Sequence, residues 1–276
     1  MTGVAVRADA DRRDPLTGRR LVALDFDGTV IGPDGAVSAR TVRAVKAVLA
    51  SGVEVVPVTA RMPGAVLHPG LRLGIRGEAI CASGAARVDL RTGRLTWRRP
   101  LSPELAAELA GRVRAACLEA AFGWVHEAGV TVEDGYPYPH PDRVVGRIGA
   151  LTQPVVALFA RCDAACRGRF AEQVRGAVAG LADLGACGAG YAEVVRRGVC
   201  KLAALRELCA DRGVPSGEVL AFGDGAADAP MLRWAGHGVA VGDGVPEALR
   251  AADRVAAGCA DDGVAAVLEE FVEVNR

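Results

Sequence analysis

The sequence predicts an α/β fold: a doubly wound parallel sheet interrupted by an inserted α+β module. Three observations predict it. Apolar runs of strand length alternate with helical stretches at both ends of the chain. Several of those runs end abruptly in polar residues. The middle of the chain has helices and strands but little βαβ rhythm. At 276 residues and 51% hydrophobic composition, the chain can bury a sizeable core as one large domain or two modest ones.

The first strand is Leu21-Val22-Ala23-Leu24, leading into Asp25-Phe26-Asp27-Gly28-Thr29. Ser38 reads as a helix N-cap. Val42, Val45, Val48 and Leu49 follow at helical spacing, and Ser51-Gly52 ends the run. Val53 to Val58 reads as the next strand, ending at Thr59-Ala60-Arg61. Strand, helix, strand is a βαβ unit and implies parallel pairing.

A second region begins near Val88. Thr92-Gly93 reads as a turn. Ser102-Pro103-Glu104 starts a helix with a cap, a proline at the first helical position and an acid in the first turn, running to about Ala121. Val130 to Val132 and Val155 to Phe159 read as strands. Asp163 caps a further helix ending near Gly180, and Tyr191 to Val195 is strand-like. The loop Tyr136-Pro137-Tyr138-Pro139-His140-Pro141 is too rich in proline for a helix or central strand.

The βα rhythm returns after Gly198. Val199 to about Asp211 is a helix, Glu218 to Phe222 a strand, Met231-Leu232 the start of a helix, and Gly238 to Val241 a strand. Asp261 and Asp262 precede the last helix, which runs through Phe271. Residues 21–87 and 196–276 thus form the core, 88–195 the insertion, and 1–20 a disordered tail.

Composition narrows the partners. Lysine plus arginine equals aspartate plus glutamate, at 33 each, so net charge favours neither nucleic acid nor an anionic membrane. No stretch approaches the roughly 20 apolar residues of a membrane helix, and the first twenty residues lack a signal-peptide apolar region. A cytoplasmic protein is the expectation. The eight cysteines are scattered, with no CxxC pair, and read as small buried apolar residues. His68, His126, His140 and His237 have no partner at metal-binding spacing.

Ligands bind at the carboxyl ends of strands in open α/β sheets. Asp25 with Asp27, Thr59, and Asp224 with Asp228 all follow apolar runs there, and Lys201 lies in the first turn of a helix. Paired carboxylates of this kind can share a divalent cation, divide nucleophile and acid–base roles, or only cap a turn. The full set suits a phosphate monoester, whose charge must be offset by metal and ammonium before a carboxylate can attack it.

Four motifs in order resemble the haloacid dehalogenase (HAD) superfamily, of the Cof-like type with a C2B cap: Asp25-Phe26-Asp27-Gly28-Thr29, Thr59-Ala60-Arg61, Gly198-Val199-Cys200-Lys201, and Gly223-Asp224-Gly225-Ala226-Ala227-Asp228. The resemblance covers about Leu21 to Phe271. It implies a Rossmann-like core with an inserted, substrate-selecting cap, and a Mg²⁺-dependent phosphatase working through an aspartyl phosphate. Asp25 would be nucleophile and metal ligand. Asp27 would be acid/base and metal ligand through its backbone carbonyl. Asp224 and Asp228 would complete the metal site, and Thr59, Ala60, Arg61 and Lys201 would bind the substrate. The substrate would be a small phosphorylated metabolite, typically a sugar phosphate, and the enzyme a monomer or weak homodimer. Ala227, Ser83 and Asp243 stand where asparagines are usual. A phosphomutase, a non-catalytic phosphate-ester binder and, more distantly, a nucleotide-binding regulator are the alternatives. Arg61 either reaches substrate or makes a surface ion pair.

Overall fold

The computed structural model describes residues 14, 16–126, 129–136, 144–162, 168–188 and 190–275. The core opens with β1 (Leu21–Leu24), every side chain of which is buried. α1 (Ala39–Ala50) starts where the Ser38 hydroxyl accepts the Thr41 N–H at 3.0 Å. β2 (Glu54–Pro57), α2 (Pro63–Arg72) and β3 (Glu78–Cys81) follow. Neither α2 nor β3 has a clear apolar period, since α2 contains Pro69 and two glycines.

β4 (Ala86–Asp89) and β5 (Leu95–Arg98) turn back at Thr92-Gly93, as expected, with Gly93 at φ +71°. They extend an antiparallel sheet from β3, and Ile80 of β3 bridges to Val58 beyond β2. The stretch after Val88 therefore hydrogen-bonds first to the core. The sequence places it in the insertion because the β3 partner is hard to see.

α3 (Pro103–Ala116) is capped by Ser102. It stops short of Ala121, because Cys117 is already extended at φ −146°. β6 (Ala121–His126), β7 (Gly129–Val132), β8 (Val144–Val145), β9 (Ala157–Arg161), α4 (Phe170–Val178), β10 (Ala182–Gly188) and β11 (Tyr191–Arg196) complete this part. Its six strands run β10-β11-β9-β6-β7-β8 and are antiparallel except for the β7–β8 pair. Asp163, Cys166 and the loop residues Pro137 to Pro141 lie outside the described residues. One face of the sheet packs Phe122, Leu158 and Val194 against α3 and α4. The other turns Val125, Val132, Phe159 and Val195 towards the core, with which they form one continuous cluster.

The chain returns through α5 (Lys201–Asp211), β12 (Val219–Gly223), α6 (Ala229–Trp234), β13 (His237–Ala240), α7 (Pro246–Leu249), β14 (Arg254–Val255) and α8 (Gly263–Val274). Five parallel strands lie in the order β14-β13-β12-β1-β2. Strand alternation sorts the two faces. Val22, Leu24, Leu220 and Phe222 pack with Val45, Val48 and Leu268. Leu21, Ala23 and Ala221 pack with Leu205, Leu208 and Met231. Helices cover both faces, so the sheet is doubly wound. From β1 the chain proceeds to β2, and from β12 to β13, in opposite directions. The crevice of a topological switch point therefore opens between the carboxyl ends of β1 and β12.

The expected tail needs one correction. Leu16 is buried, the Gly18 N–H donates to Asn275 Oδ1 at 3.2 Å, and Asn275 Nδ2 donates to the Leu16 carbonyl at 3.1 Å. One leucine in a polar stretch has no periodicity to reveal it, yet it docks residues 16–20 on the core. Among the described residues no helix is long and apolar enough to cross a membrane.

Candidate active site

β1 delivers Asp25 directly to the crevice. Its N–H still donates to the Phe222 carbonyl of β12 at 3.1 Å, and the side chain is buried. Gly28, at φ +84°, lets the chain turn away. A Cβ at that position would collide with the Asp224 carboxylate, so only glycine lets the two loops meet. Thr29 Oγ1 lies 3.1 Å from Asp25 Oδ2 and 2.9 Å from Asp224 Oδ1, and its single proton serves one of them at a time.

The loop after β12 closes on itself. Asp228 Oδ2 accepts the N–H groups of Gly225 at 2.9 Å and Asp224 at 3.3 Å. Lys201, the first residue of α5, donates from Nζ to Asp25 Oδ1 at 2.6 Å and Asp228 Oδ1 at 2.7 Å. Carboxylate oxygens of Asp25, Asp224 and Asp228 all lie within 4.8 Å of one another. This is a hard-oxygen donor set of the type divalent magnesium takes.

The electrostatics follow from three acids sharing one ammonium. Burial pushes the Asp25 carboxyl up, Lys201 pulls it down and Asp224 pushes it up again, leaving it at about 6. Asp228 also reaches about 6, through burial and the charge of Asp25, against the pull of Lys201. Asp224 is raised, chiefly by burial. Burial works against the Lys201 charge, but Asp25 and Asp228 outweigh it and its pKa rises. The surplus negative charge is what a bound cation would offset.

The other expected residues divide. Thr59 is buried, and its Oγ1 accepts the Arg61 N–H at 3.1 Å. Thr59 and Ala60 line the same cavity as Asp25. Asp27 lines it too, but its carboxylate stands outside the three-acid cluster and takes a two-pronged pair from Arg61, at 2.8 Å from Nε and 2.6 Å from Nη2. Asp243 is not among the acids of the Asp25, Asp224 and Asp228 cluster. Its carboxylate accepts the Cys259 N–H at 3.1 Å, a turn role. Ala227 lines the cavity without a polar contribution. His126 bonds Thr131 within its hairpin.

Three further contributions come from the structure. Thr29 bridges the two loops, and its place four residues after Asp25 was the available signal. The cavity, of about 780 Å³, is roofed by α4 and β10, which supply Arg175, Asp183 and Cys187. Glu193 on β11 is fully buried against the core. Its Oε2 accepts the Ser83 hydroxyl and, at 3.0 Å, the Ala186 N–H. Burial pushes Glu193 up to about 7, against the pull of Ser83, Ala186 and Lys201. Ser83 sits at φ +50°, an unusual conformation for a side-chain-bearing residue. An acid among apolar neighbours in a strand was the sequence signal for Glu193.

Comparisons with known proteins show the family and the fold. Residues 22–268 match the haloacid dehalogenase-like hydrolase family. An HMP-PP phosphatase of Serratia proteamaculans is 27% identical over 92% of this chain and 95% of its own. A haloacid dehalogenase-like hydrolase of Bacteroides thetaiotaomicron superposes with a TM-score of 0.79 at 21% identity, covering 92% of this chain and 99% of that one. The HAD subclass IIB sugar phosphatase BT4131 gives 0.76 at 21% identity, covering 91% and 98%. The chain belongs to the haloacid dehalogenase-like hydrolase family and is an enzyme of its phosphatase type.

Proposed function

We propose that this enzyme hydrolyses the phosphoric monoester of a small metabolite, with Asp25 as nucleophile and magnesium as cofactor. The observation that carries the reading is the Asp25–Lys201 contact at 2.6 Å, buried at the mouth of a parallel sheet. A carboxylate held beside an ammonium stays ionised and faces a substrate whose negative charge that ammonium also attracts.

Asp25 attacks phosphorus, forming an acyl phosphate as the bond to the leaving oxygen breaks. Asp27, once it leaves Arg61 and takes up a proton from solvent as the substrate binds, gives the leaving oxygen that proton. It then takes one from the water that hydrolyses the acyl phosphate and returns Asp25 to its carboxylate. Thr59 and Lys201 hold the phosphoryl oxygens. Asp25, Asp224 and Asp228 would hold the metal, with Asp27 contributing its backbone carbonyl. When bound, magnesium supplies charge neutralisation at the phosphoryl group. The residues from about 101 to 195 act as the substrate-selecting cap, and the enzyme works in the cytoplasm on freely diffusing substrate.

The loss of asparagine at Ala227 does not argue for a non-catalytic protein. Asp228 is held by backbone N–H groups and Lys201 without it. The test is inorganic phosphate release from a panel of metabolite monoesters, with Mg²⁺ and with EDTA. Mg²⁺-dependent release that disappears in Asp25→Asn supports the reading. No release from any ester by the folded, Mg²⁺-saturated protein contradicts it.

A further inference from the structure

Glu193 is wholly buried on β11, on the side of the sheet that carries Val195 towards the core. Its Oε1 has no hydrogen-bond partner among the described residues. Burying a carboxyl group with a bare oxygen is costly, and an apolar side chain would pack this face without that cost. What the carboxyl group adds is the grip of its other oxygen.

That grip begins at the roof of the catalytic cavity. Leu184 pairs with Val194 and Cys187 with Ala192, so Gly185 and Ala186 of β10 together face Glu193. Such a bulge disrupts the ladder and re-aims the strand. Glu193 Oε2 accepts the Ala186 N–H at 3.0 Å, and Ser83 Oγ shares it at 3.2 Å. A Cβ at Gly185 would collide with Glu193 Oε2 and Ser83 Oγ, so the bulge lies directly on this pair. Gly185 and Ala186 both line the cavity.

The grip ends at the loops that carry Thr59 and Lys201. The Ser83 hydroxyl donates to Glu193 Oε2. Ser83 lies in the turn Ala82–Gly84, where Ala82 has φ +48° and Ser83 φ +50°. An L-residue holds that conformation only where its surroundings fix it. The Ser83 N–H donates to the Thr59 carbonyl at 3.2 Å, and the Ala82 N–H to the Arg61 carbonyl at 2.8 Å. Gly84 packs so closely on the Cys200 carbonyl that a Cβ there would collide with it, one residue before Lys201. One short turn thus touches the segments of Thr59, Arg61 and Lys201.

We infer that Glu193 is a positioning residue: through Ser83 it fixes the loops that carry Thr59 and Lys201, and through Ala186 it fixes the roof above them. It acts through these neighbours and does no chemistry itself. The inference rests on the proposed phosphatase reading for the roles of Thr59 and Lys201.

The test follows binding of inorganic phosphate to the Mg²⁺-loaded protein by calorimetry, with hydrogen exchange of residues 184–188 followed by mass spectrometry. Glu193→Ala should weaken phosphate binding at least about tenfold, as loss of the support behind a ligand-holding group does. It should also speed exchange across 184–188. Glu193→Gln keeps an oxygen for Ser83 and Ala186, so its phosphate affinity should stay within about twofold of the parent. Ser83→Ala keeps the backbone and should weaken binding in the same direction as Glu193→Ala. The double variant should bind no more weakly than Glu193→Ala alone, because both act through one contact. A residue that only adds stability would lower the melting temperature when replaced and leave the phosphate affinity of the folded protein unchanged.

Unchanged affinity in both Glu193→Ala and Ser83→Ala, a loss in Glu193→Gln equal to that in Glu193→Ala, additive losses, or unaltered exchange would overturn the inference. If Glu193→Ala fails to fold, Ser83→Ala and Glu193→Gln carry the same comparison. Absence of phosphate binding by the folded parent would instead strike the phosphatase reading, while the exchange rates would still decide the grip of Glu193.

Discussion

Lys201 Nζ donates to Asp25 Oδ1 at 2.6 Å across a span of 176 residues, and both side chains are closed to solvent. The contact joins the carboxyl end of β1 to the first turn of α5, and it ties the two segments of the core together at the site. It also sets stability against function, because three acids crowd around one cation.

Lys201→Ala is therefore expected to damage both. It leaves buried carboxylates uncompensated, a loss on the order of 3–5 kcal/mol for a broken buried pair. Urea denaturation should show a lower midpoint, and kcat/KM should fall at least about a hundredfold with the loss of phosphate binding. An unchanged rate would remove Lys201 from the site.

Asp25→Asn should separate the two properties. Turnover falls at least about a thousandfold, since no carboxylate remains to attack. Stability holds or rises, because the amide keeps the shape while one of three mutually repelling acids is gone. Thermal melting alongside phosphate release checks both halves.

Gly28→Ala tests the meeting of the loops. The backbone at φ +84° disfavours alanine by about 1 kcal/mol or more, and the new methyl would push on the Asp224 carboxylate. Magnesium titrations followed by thermal shift should show weaker binding than the parent. In the parent, saturating Mg²⁺ at 100 times Kd should add about 2.7 kcal/mol of stability, and EDTA should remove it together with the activity.

Glu193 predicts a pH dependence with a definite sign. Its folded pKa of about 7 lies above its ordinary value of 4.5, so the folded state holds the proton longer than the unfolded chain. Its contribution is most favourable below pH 4.5 and is lost as pH rises to about 7. The loss is of order 3 kcal/mol at most, at about 1.4 kcal/mol per pK unit. In Glu193→Gln that slope should vanish, so the difference in urea midpoint between variant and parent should widen in the variant's favour across this window. Parallel curves would show that Glu193 does not titrate there.

Much of the site was legible because the chemistry sits where apolar runs stop. Asp25, Asp27, Thr59 and Asp224 each follow a buried strand, and Ser38 and Ser102 cap the helices that sequence assigns them. What stayed hidden was set by partners distant in the chain. β6 and β10 carry glycines and small residues, so their alternation is weak and only their neighbours make them strands. β3 is recognisable only through its pairing with β4, so the sequence pattern alone does not show that residues 88–98 pair onward from β3. Leu16 is a single apolar contact. The orientation of Asp27 towards Arg61, rather than into the acid cluster, depends on a side-chain choice that spacing cannot encode.

The most direct test of the central claim is to quench the Mg²⁺-loaded enzyme in acid during turnover of its best ester, reduce the trapped acyl phosphate with borohydride and locate the modified residue by peptide mass spectrometry. The account predicts modification at Asp25 and nowhere else. Modification at another residue, or steady turnover with no trapped acyl phosphate at Asp25, would contradict it.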